Sequence, residues 1–204
     1  MIRAYAWGFS LLAVFLVLGY WVRDSAWPLD LVVADAMWGF WQTSGSDVVW
    51  VVTDILGPVL PIAMFLALVI AAVLVRRDAY TLNVLLRSMV LLAACRLMSL
   101  FKGVFERDRP RAYVDFSYPS GHVVSVASVA FTGIVLCGWL ARRLLRRAIV
   151  LGTTLVVIAA ACRVLLDVHW VTDVLGGTLG VTGIGLLVAA ALHLIPLRER
   201  KVSG

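Results

Sequence analysis

The chain of 204 residues is 62% hydrophobic and only 15% charged, with a mean hydropathy of +0.98. Soluble domains lie nearer half apolar and a quarter charged, so this composition excludes a disordered chain, a coiled coil and most soluble enzymes. Eighteen Lys and Arg against twelve Asp and Glu leave a net +6, an excess that in so apolar a chain is read as membrane topology before nucleic acid.

A helix that crosses a bilayer needs about 20 mostly apolar residues. In chain order, such stretches run from Ala4 to Val22, Val59 to Val75, Leu82 to Phe101, His122 to Leu140, Ala148 to Leu166 and Val171 to Leu194. The first is followed by Trp21-Val-Arg-Asp-Ser-Ala-Trp27 without a small-x-small cleavage site, and reads as a retained span rather than a signal peptide. After it, Leu29, Val32, Val33, Ala36, Met37 and Phe40 recur at helical spacing, with Asp30, Asp35, Trp38 and Trp41 interleaved. Val48, Val49, Val52, Ile55 and Leu56 make a second short pattern. These predict one or two helices along the outer interface, with Trp27, Trp38, Trp41 and Trp50 at headgroup level; an extra span is the alternative. Gly176, Gly180, Gly183 and Gly185 put small residues on the sixth span, for close helix packing. Cys95, Cys137 and Cys162 lie in apolar stretches, odd in number and without C-x-x-C spacing, and read as core residues. The expected fold is all-α: a polytopic membrane protein of six transmembrane helices with short interfacial helices between the first and second spans. It forms one membrane-embedded domain over residues 1–204, its core at about 50–194.

Charge orients this layout. With six spans both ends share one side, which carries Arg3, Arg76, Arg77, Arg87, Arg142, Arg143, Arg146, Arg147, Arg198, Arg200 and Lys201 against only Asp78 and Glu199. The opposite side carries Arg23, Lys102, Arg107, Arg109, Arg111 and Arg163 and all the remaining acids, from Asp24 to Asp173; Arg96 lies within the third span. The positive-inside rule puts the base-rich side, and both termini, in the cytoplasm of a cell membrane. The loops bearing Lys102 to Pro119 and Asp167 to Trp170 then face outward. Bases along the inner face meet anionic lipid heads, which excludes nucleic acid as the partner.

Charged groups beside spans are costly and mark function. Lys102, Arg109, Pro119-Ser120-Gly121-His122, Arg163, His169 and Asp173 all fall at outward ends of the third to sixth spans. Lys and Arg cations match phosphate oxygens. Ser120 and Gly121 open the fourth span, where free N–H groups and the helix dipole favour an anion. His169 and Asp173, four apart, share a helix face. The carboxylate can hold one imidazole nitrogen and leave the other as a nucleophile, while His122 protonates a leaving oxygen. Lys102, Arg109 and Arg163 then hold the transition-state oxygens. The set reads as phosphoryl transfer through a phosphohistidine, with no metal and no cofactor. Taken singly each residue has a plainer role as anchor, cap or structural histidine; order and shared face argue for the chemistry. Around them, Arg107, Asp108 and Arg111 are expected to pair within their loop or touch a headgroup, Arg96 to pair with an acid in the bundle, and Asp167 to keep its loop solvated. Tyr113 and Tyr118 are expected to line the lipid's path or join the aromatic belt, and His193 to be interfacial near Arg198.

These residues resemble the three-part signature of the type 2 phosphatidic acid phosphatase superfamily, which includes lipid phosphatases and vanadium-dependent haloperoxidases. K-x-x-x-x-x-x-R-P stands as Lys102 to Arg109-Pro110, P-S-G-H as Pro119 to His122, and S-R-x-x-x-x-x-H-x-x-x-D as Cys162-Arg163 to His169 and Asp173. Only the leading Ser differs, being Cys162. The resemblance covers about residues 50 to 190. It implies His169 as nucleophile, Asp173 as its orienting carboxylate, His122 as general acid, and Lys102, Arg109, Ser120, the Gly121 backbone N–H and Arg163 as phosphate ligands. It implies a metal-independent membrane hydrolase at the outer leaflet; the hydropathy argues against the soluble haloperoxidase branch. The substrate expected is a phosphorylated lipid: phosphatidate, phosphatidylglycerol phosphate, diacylglycerol pyrophosphate or a polyprenyl (undecaprenyl-type) diphosphate. A lipid phosphotransferase of the same chemistry and a non-catalytic lipid-binding or transport protein are the alternatives.

Overall fold

The computed structural model describes residues 1–195. Arg198, Glu199, Arg200 and Lys201, which enter the charge balance, lie outside them, as does the expected neighbourhood of His193 with Arg198. The described elements are all helical: α1 (Ile2–Trp21), α2 (Pro28–Met37), α3 (Gly45–Asp54), α4 (Leu60–Leu74), α5 (Ala79–Arg96), α6 (Lys102–Phe105), α7 (Gly121–Leu140), α8 (Leu145–Leu165) and α9 (Val171–Ala191). Short 3₁₀ turns and one π turn join some of them. Among the described residues, six segments are long and apolar enough to cross a membrane: Ile2–Trp21, Gly45–Leu74, Ala79–Phe105, Gly121–Leu140, Arg142–Leu165 and Val171–Ala191. The chain is a multi-pass membrane protein of all-α class.

The second span begins at Gly45, not at Val59 as its hydropathy suggests. α3 runs into α4 through a π turn at Ile55–Val59 that contains Pro58, giving one apolar segment of 30 residues. Proline supplies no N–H and crowds the preceding turn. A locally widened turn accommodates both effects, so the helix passes through instead of starting there. The Val48–Leu56 pattern is therefore the head of a span, and among the two short patterns only α2 forms a separate helix between spans one and two.

α9 packs along α1 and α7, and α7 also packs along α5 and α8. α7 and α9 are thus the enclosed centre of the bundle. The sixth-span glycines serve this packing: a Cβ on Gly183 would stand 3.1 Å from the Gly8 carbonyl oxygen, and one on Gly176 would collide with the Tyr118 ring. Outward faces of α1, α4 and α8 expose Val17, Leu74, Leu151 and similar side chains, the surface a bilayer covers.

One end of the bundle is closed by an aromatic cluster. Phe15 of α1 stacks on Tyr118 at 5.4 Å, and Phe105 meets Tyr118 edge-on at 4.9 Å. The Tyr118 hydroxyl donates to the Phe15 carbonyl at 2.7 Å. Tyr118 is fully buried, so it neither lines a lipid path nor joins an interfacial belt. It anchors the chain just before Pro119, at the end where α5, α7, α8 and α9 bring the signature residues.

Candidate active site

α9 starts with Trp170 as its N-cap residue, and the Asp173 carboxylate folds back so that Oδ2 accepts the Trp170 N–H at 2.8 Å. This capping satisfies a donor the helix leaves open. It also points Asp173 at His169, which precedes the helix: Nδ1 lies 3.3 Å from the same Oδ2. The expected pairing is therefore present, but the cap builds it and not a shared helix face. On the other side of the ring, Nε2 lies 3.2 Å from Arg109 Nη1.

These neighbours assign the tautomer. A guanidinium only donates, and an ionised carboxylate only accepts. Nε2 is therefore the unprotonated acceptor, and Nδ1–H donates to Asp173. His169 is buried, and its pKa is pushed well below the usual imidazole range, first by burial and then by the charges of Arg109, Arg163 and Lys102 and by His122. At neutral pH the ring is uncharged, with the Nε2 lone pair turned toward the cations.

Arg109 is held in place by backbone. Nε donates to the Asp115 carbonyl at 2.7 Å, Nη1 to the Val168 carbonyl at 2.6 Å and Nη2 to the Phe116 carbonyl at 3.1 Å. Lys102 Nζ bonds Asp115 Oδ2 and the Phe116 carbonyl, both at 2.6 Å. Burial alone would raise the Asp115 carboxyl, but the bonds from Lys102 and the Phe116 backbone hold it below the usual carboxylate range. A Cβ on Gly121 would stand 3.6 Å from Lys102 Cε, so this cation lies against the start of α7. The loop carrying Arg109, Tyr113 and Asp115 lines a cavity of about 520 Å³.

Arg163, near the end of α8, is only 1% exposed. Its guanidinium lies over Trp50 at 5.4 Å and Tyr113 at 6.0 Å, and among the described residues Nε and Nη1 have no hydrogen-bond partner. Ser120 occupies the N-cap position of α7, but its hydroxyl makes no cap bond. Oγ is buried and likewise without a partner among the described residues. Unpaired buried polar groups cost free energy, so such groups in a fixed frame signal a ligand. Arg96 steadies the same helix start, donating to the Gly121 carbonyl at 3.4 Å and to Ser125 Oγ. Among the described residues it pairs with these oxygens and not with an acid. His122, in the first turn of α7, has Nε2 3.8 Å from Asp54 Oδ1, and its ring fills the space beside Gly57, where any Cβ would collide.

The structure thus gathers the anticipated residues at one end of α5, α7, α8 and α9. Several more were not anticipated as site residues. Arg107 does not pair within its loop: it is 2% exposed and bonds Asp173 Oδ1 at 2.6 Å and Asp30 Oδ2 at 2.9 Å. Tyr113 is a stacking platform, under Arg109 at 4.9 Å and against Trp50 at 5.9 Å. Trp50 is thereby tied to the site. Arg111 donates to the Leu166 carbonyl at 3.1 Å and lies over Trp41 at 4.7 Å. Asp108 contributes its carbonyl, which accepts from Ser117 Oγ and Trp170 Nε1 at 2.9 Å each. Asp167 is 2% exposed and does not solvate its loop; burial raises its carboxyl despite nearby Arg111.

A family model described as PAP2 superfamily matches residues 79–201. No curated protein matches the sequence. Among solved structures, the crystal structure of the first transmembrane PAP2 type phosphatidylglycerolphosphate phosphatase from Bacillus subtilis is similar, with a TM-score of 0.74 at 23% identity. The match covers 95% of this chain and 98% of that one. At that identity the likeness carries the fold.

Proposed function

Because the chain belongs to the PAP2 superfamily, we propose that it is an integral membrane lipid phosphatase that hydrolyses a phosphomonoester or terminal phosphoanhydride through a phosphohistidine on His169. The observation that carries the reading is the set of buried donors without partners, Arg163 Nε and Nη1, whose charge, with those of Arg109 and Lys102, acts on a neutral His169. Ser120 Oγ is a further buried polar atom without a partner, at the start of the helix that carries His122. One tetrahedral anion held by these groups satisfies them together.

In the first step Nε2 of His169 attacks phosphorus while the bond to the lipid oxygen breaks, and His122 gives that oxygen a proton. The Nδ1–H bond to Asp173 stabilises the positive charge the ring acquires. In the second step water attacks phosphorus, His122 takes its proton, and the P–N bond returns its electrons to His169. Lys102, Arg109, Arg163, Ser120 and the Gly121 N–H hold the phosphoryl oxygens throughout. The chain's own groups supply each part of this scheme, so phosphate release in excess chelator is expected to equal that in buffer. A strict need for Mg²⁺ would contradict it.

A lipid substrate is supported by an apolar groove of about 370 Å³ between α7, α8 and α9. It begins at Val174, next to Asp173, and at Ala160, one turn before Arg163. The base-rich opposite end supports an outward-facing site in the cell membrane, with the first span's start cytoplasmic. Phosphatidylglycerol phosphate is the first substrate to test, since a solved protein of the same fold is named for it. The deciding experiment is phosphate release from a panel of that lipid, phosphatidate and polyprenyl diphosphate. Release from at least one supports the reading, and release from none overturns it. Transfer of label to an added acceptor in place of water would identify a phosphotransferase.

Asp115 competes with phosphate for Lys102. It is 52% exposed, and exposed pairs are weak. Asp115→Asn is therefore expected to lower KM by about two- to fivefold with little change in kcat, measured on the best substrate of the panel.

A further inference from the structure

Asp30 lies in α2, outside the family match over 79–201, on a helix whose Leu29, Leu31 and Val32 are exposed. It is nevertheless 1% exposed, and both its oxygens are engaged. Oδ1 accepts the Thr172 N–H at 3.0 Å. Oδ2 accepts Thr172 Oγ1 at 2.6 Å, Arg107 Nη2 at 2.9 Å and the Trp27 N–H at 3.3 Å. Arg107 turns its other nitrogen, Nη1, to Asp173 Oδ1 and Thr172 Oγ1, each at 2.6 Å. A buried chain of contacts therefore runs from Asp30 through Arg107 and Asp173 to His169.

The local sequences on its two sides match. Trp27-Pro-Leu-Asp30 and Trp170-Val-Thr-Asp173 both put Trp at the N-cap and, three residues on, an Asp whose carboxylate accepts the N-cap N–H. Two helix starts thus meet through one guanidinium. We propose that Asp30 is a positioning residue for phosphoryl transfer: by engaging Arg107 Nη2 and Thr172, it limits Arg107 to one oxygen of Asp173 and leaves the other for His169.

The physical reason lies in the fork of the guanidinium. A free Arg beside a carboxylate frequently takes both oxygens in a bidentate pair. Arg107 in that mode would occupy Asp173 Oδ2, the atom that accepts from Trp170 N and faces His169 Nδ1. With Nη2 committed to Asp30, Arg107 reaches Oδ1 alone. Asp30 also offsets the Arg107 charge beside Asp173. The imidazole then keeps the orientation and tautomer that aim Nε2 at phosphorus, and a misplacement of about 1 Å there costs on the order of 100-fold.

This inference rests on the phosphatase reading, and the test separates the two. Full-length wild type, Asp30→Asn and Asp30→Glu are compared on the best lipid substrate, with the thermal midpoint of each as a folding control. Asp30→Asn is expected to lower kcat about 10- to 100-fold with KM within about twofold, and Asp30→Glu to recover most of kcat. A purely structural Asp30 would instead make lost activity follow the folded fraction in both variants, which overturns the proposal, as does an unchanged kcat in Asp30→Asn. If Asp30→Asn does not fold, Thr172→Val removes the shared hydroxyl without altering any charge. A fall in kcat at constant KM supports the proposal there, and wild-type kcat overturns it. Inactivity of the wild type on every lipid overturns the phosphatase reading itself, whereas an active wild type with an unaffected Asp30→Asn overturns this inference alone.

Discussion

His169→Ala is expected to lower turnover by roughly 10⁴-fold or more, while binding of the phosphorylated headgroup largely survives. The cations that would hold phosphate do not depend on the ring for their placement. Arg109 is fixed by three backbone carbonyls, and Arg163 by its place on α8 beside Trp50 and Tyr113. Removing the imidazole deletes the attacking atom and leaves that frame standing. The check pairs phosphate release with binding of vanadate or inorganic phosphate to the variant. Substantial residual activity would remove His169 from the nucleophile's role. Loss of anion binding in a folded variant would mean that the ring, and not the cations, organises the site.

His122→Ala is expected to cost about 10²- to 10⁴-fold in kcat, the usual range for a general acid. Its distinguishing mark is dependence on the leaving group. A lipid alkoxide needs a proton as it departs, and a nitrophenolate does not. On a nitrophenyl ester of phosphate the formation of phosphoenzyme should recover in the variant, while its hydrolysis, which needs a base for water, stays slow. Phosphoenzyme would then accumulate as a burst. Equal loss on both leaving groups, without a burst, would make His122 a phosphate ligand only. Gly57 belongs to this prediction: any side chain there collides with the ring of His122, so the π turn at the head of the second span helps set the ring's place.

Much of this was legible in the residues themselves. Long apolar runs identify spans because lipid offers the backbone no partners, and only helices satisfy it internally. Lys102, Arg109, His122, Arg163, His169 and Asp173 stood out because ionisable groups beside such runs demand partners or ligands. Hydropathy starts the second span at Val59, but a π turn carries the helix past Pro58 and extends it back to Gly45. Arg107 is visible, but the sequence offers it only its own loop or a headgroup, since spacing shows only near neighbours. Its partners Asp30 and Asp173 are 77 and 66 residues away, and no local pattern links them. A signal for Asp30 did exist: an acid within an apolar helical pattern is costly unless paired. A tyrosine beside a span suggests the lipid's path or an interfacial belt, yet a carbonyl on α1 accepts the Tyr118 hydroxyl inside the core. The cavity beside Tyr113 depends on the folding of the 106–117 loop, which periodicity does not describe.

The most direct test of covalent catalysis is to trap the intermediate. The purified protein is mixed with lipid labelled in its terminal phosphate and quenched within the first turnover, and the labelled peptide is mapped. A phosphohistidine is acid-labile and base-stable, so the expected result is label with that behaviour on His169, absent from His169→Ala. Label on any other residue, or turnover by the wild-type protein with no phosphoenzyme trapped either on lipid or, in His122→Ala, on the nitrophenyl ester of phosphate, would contradict it.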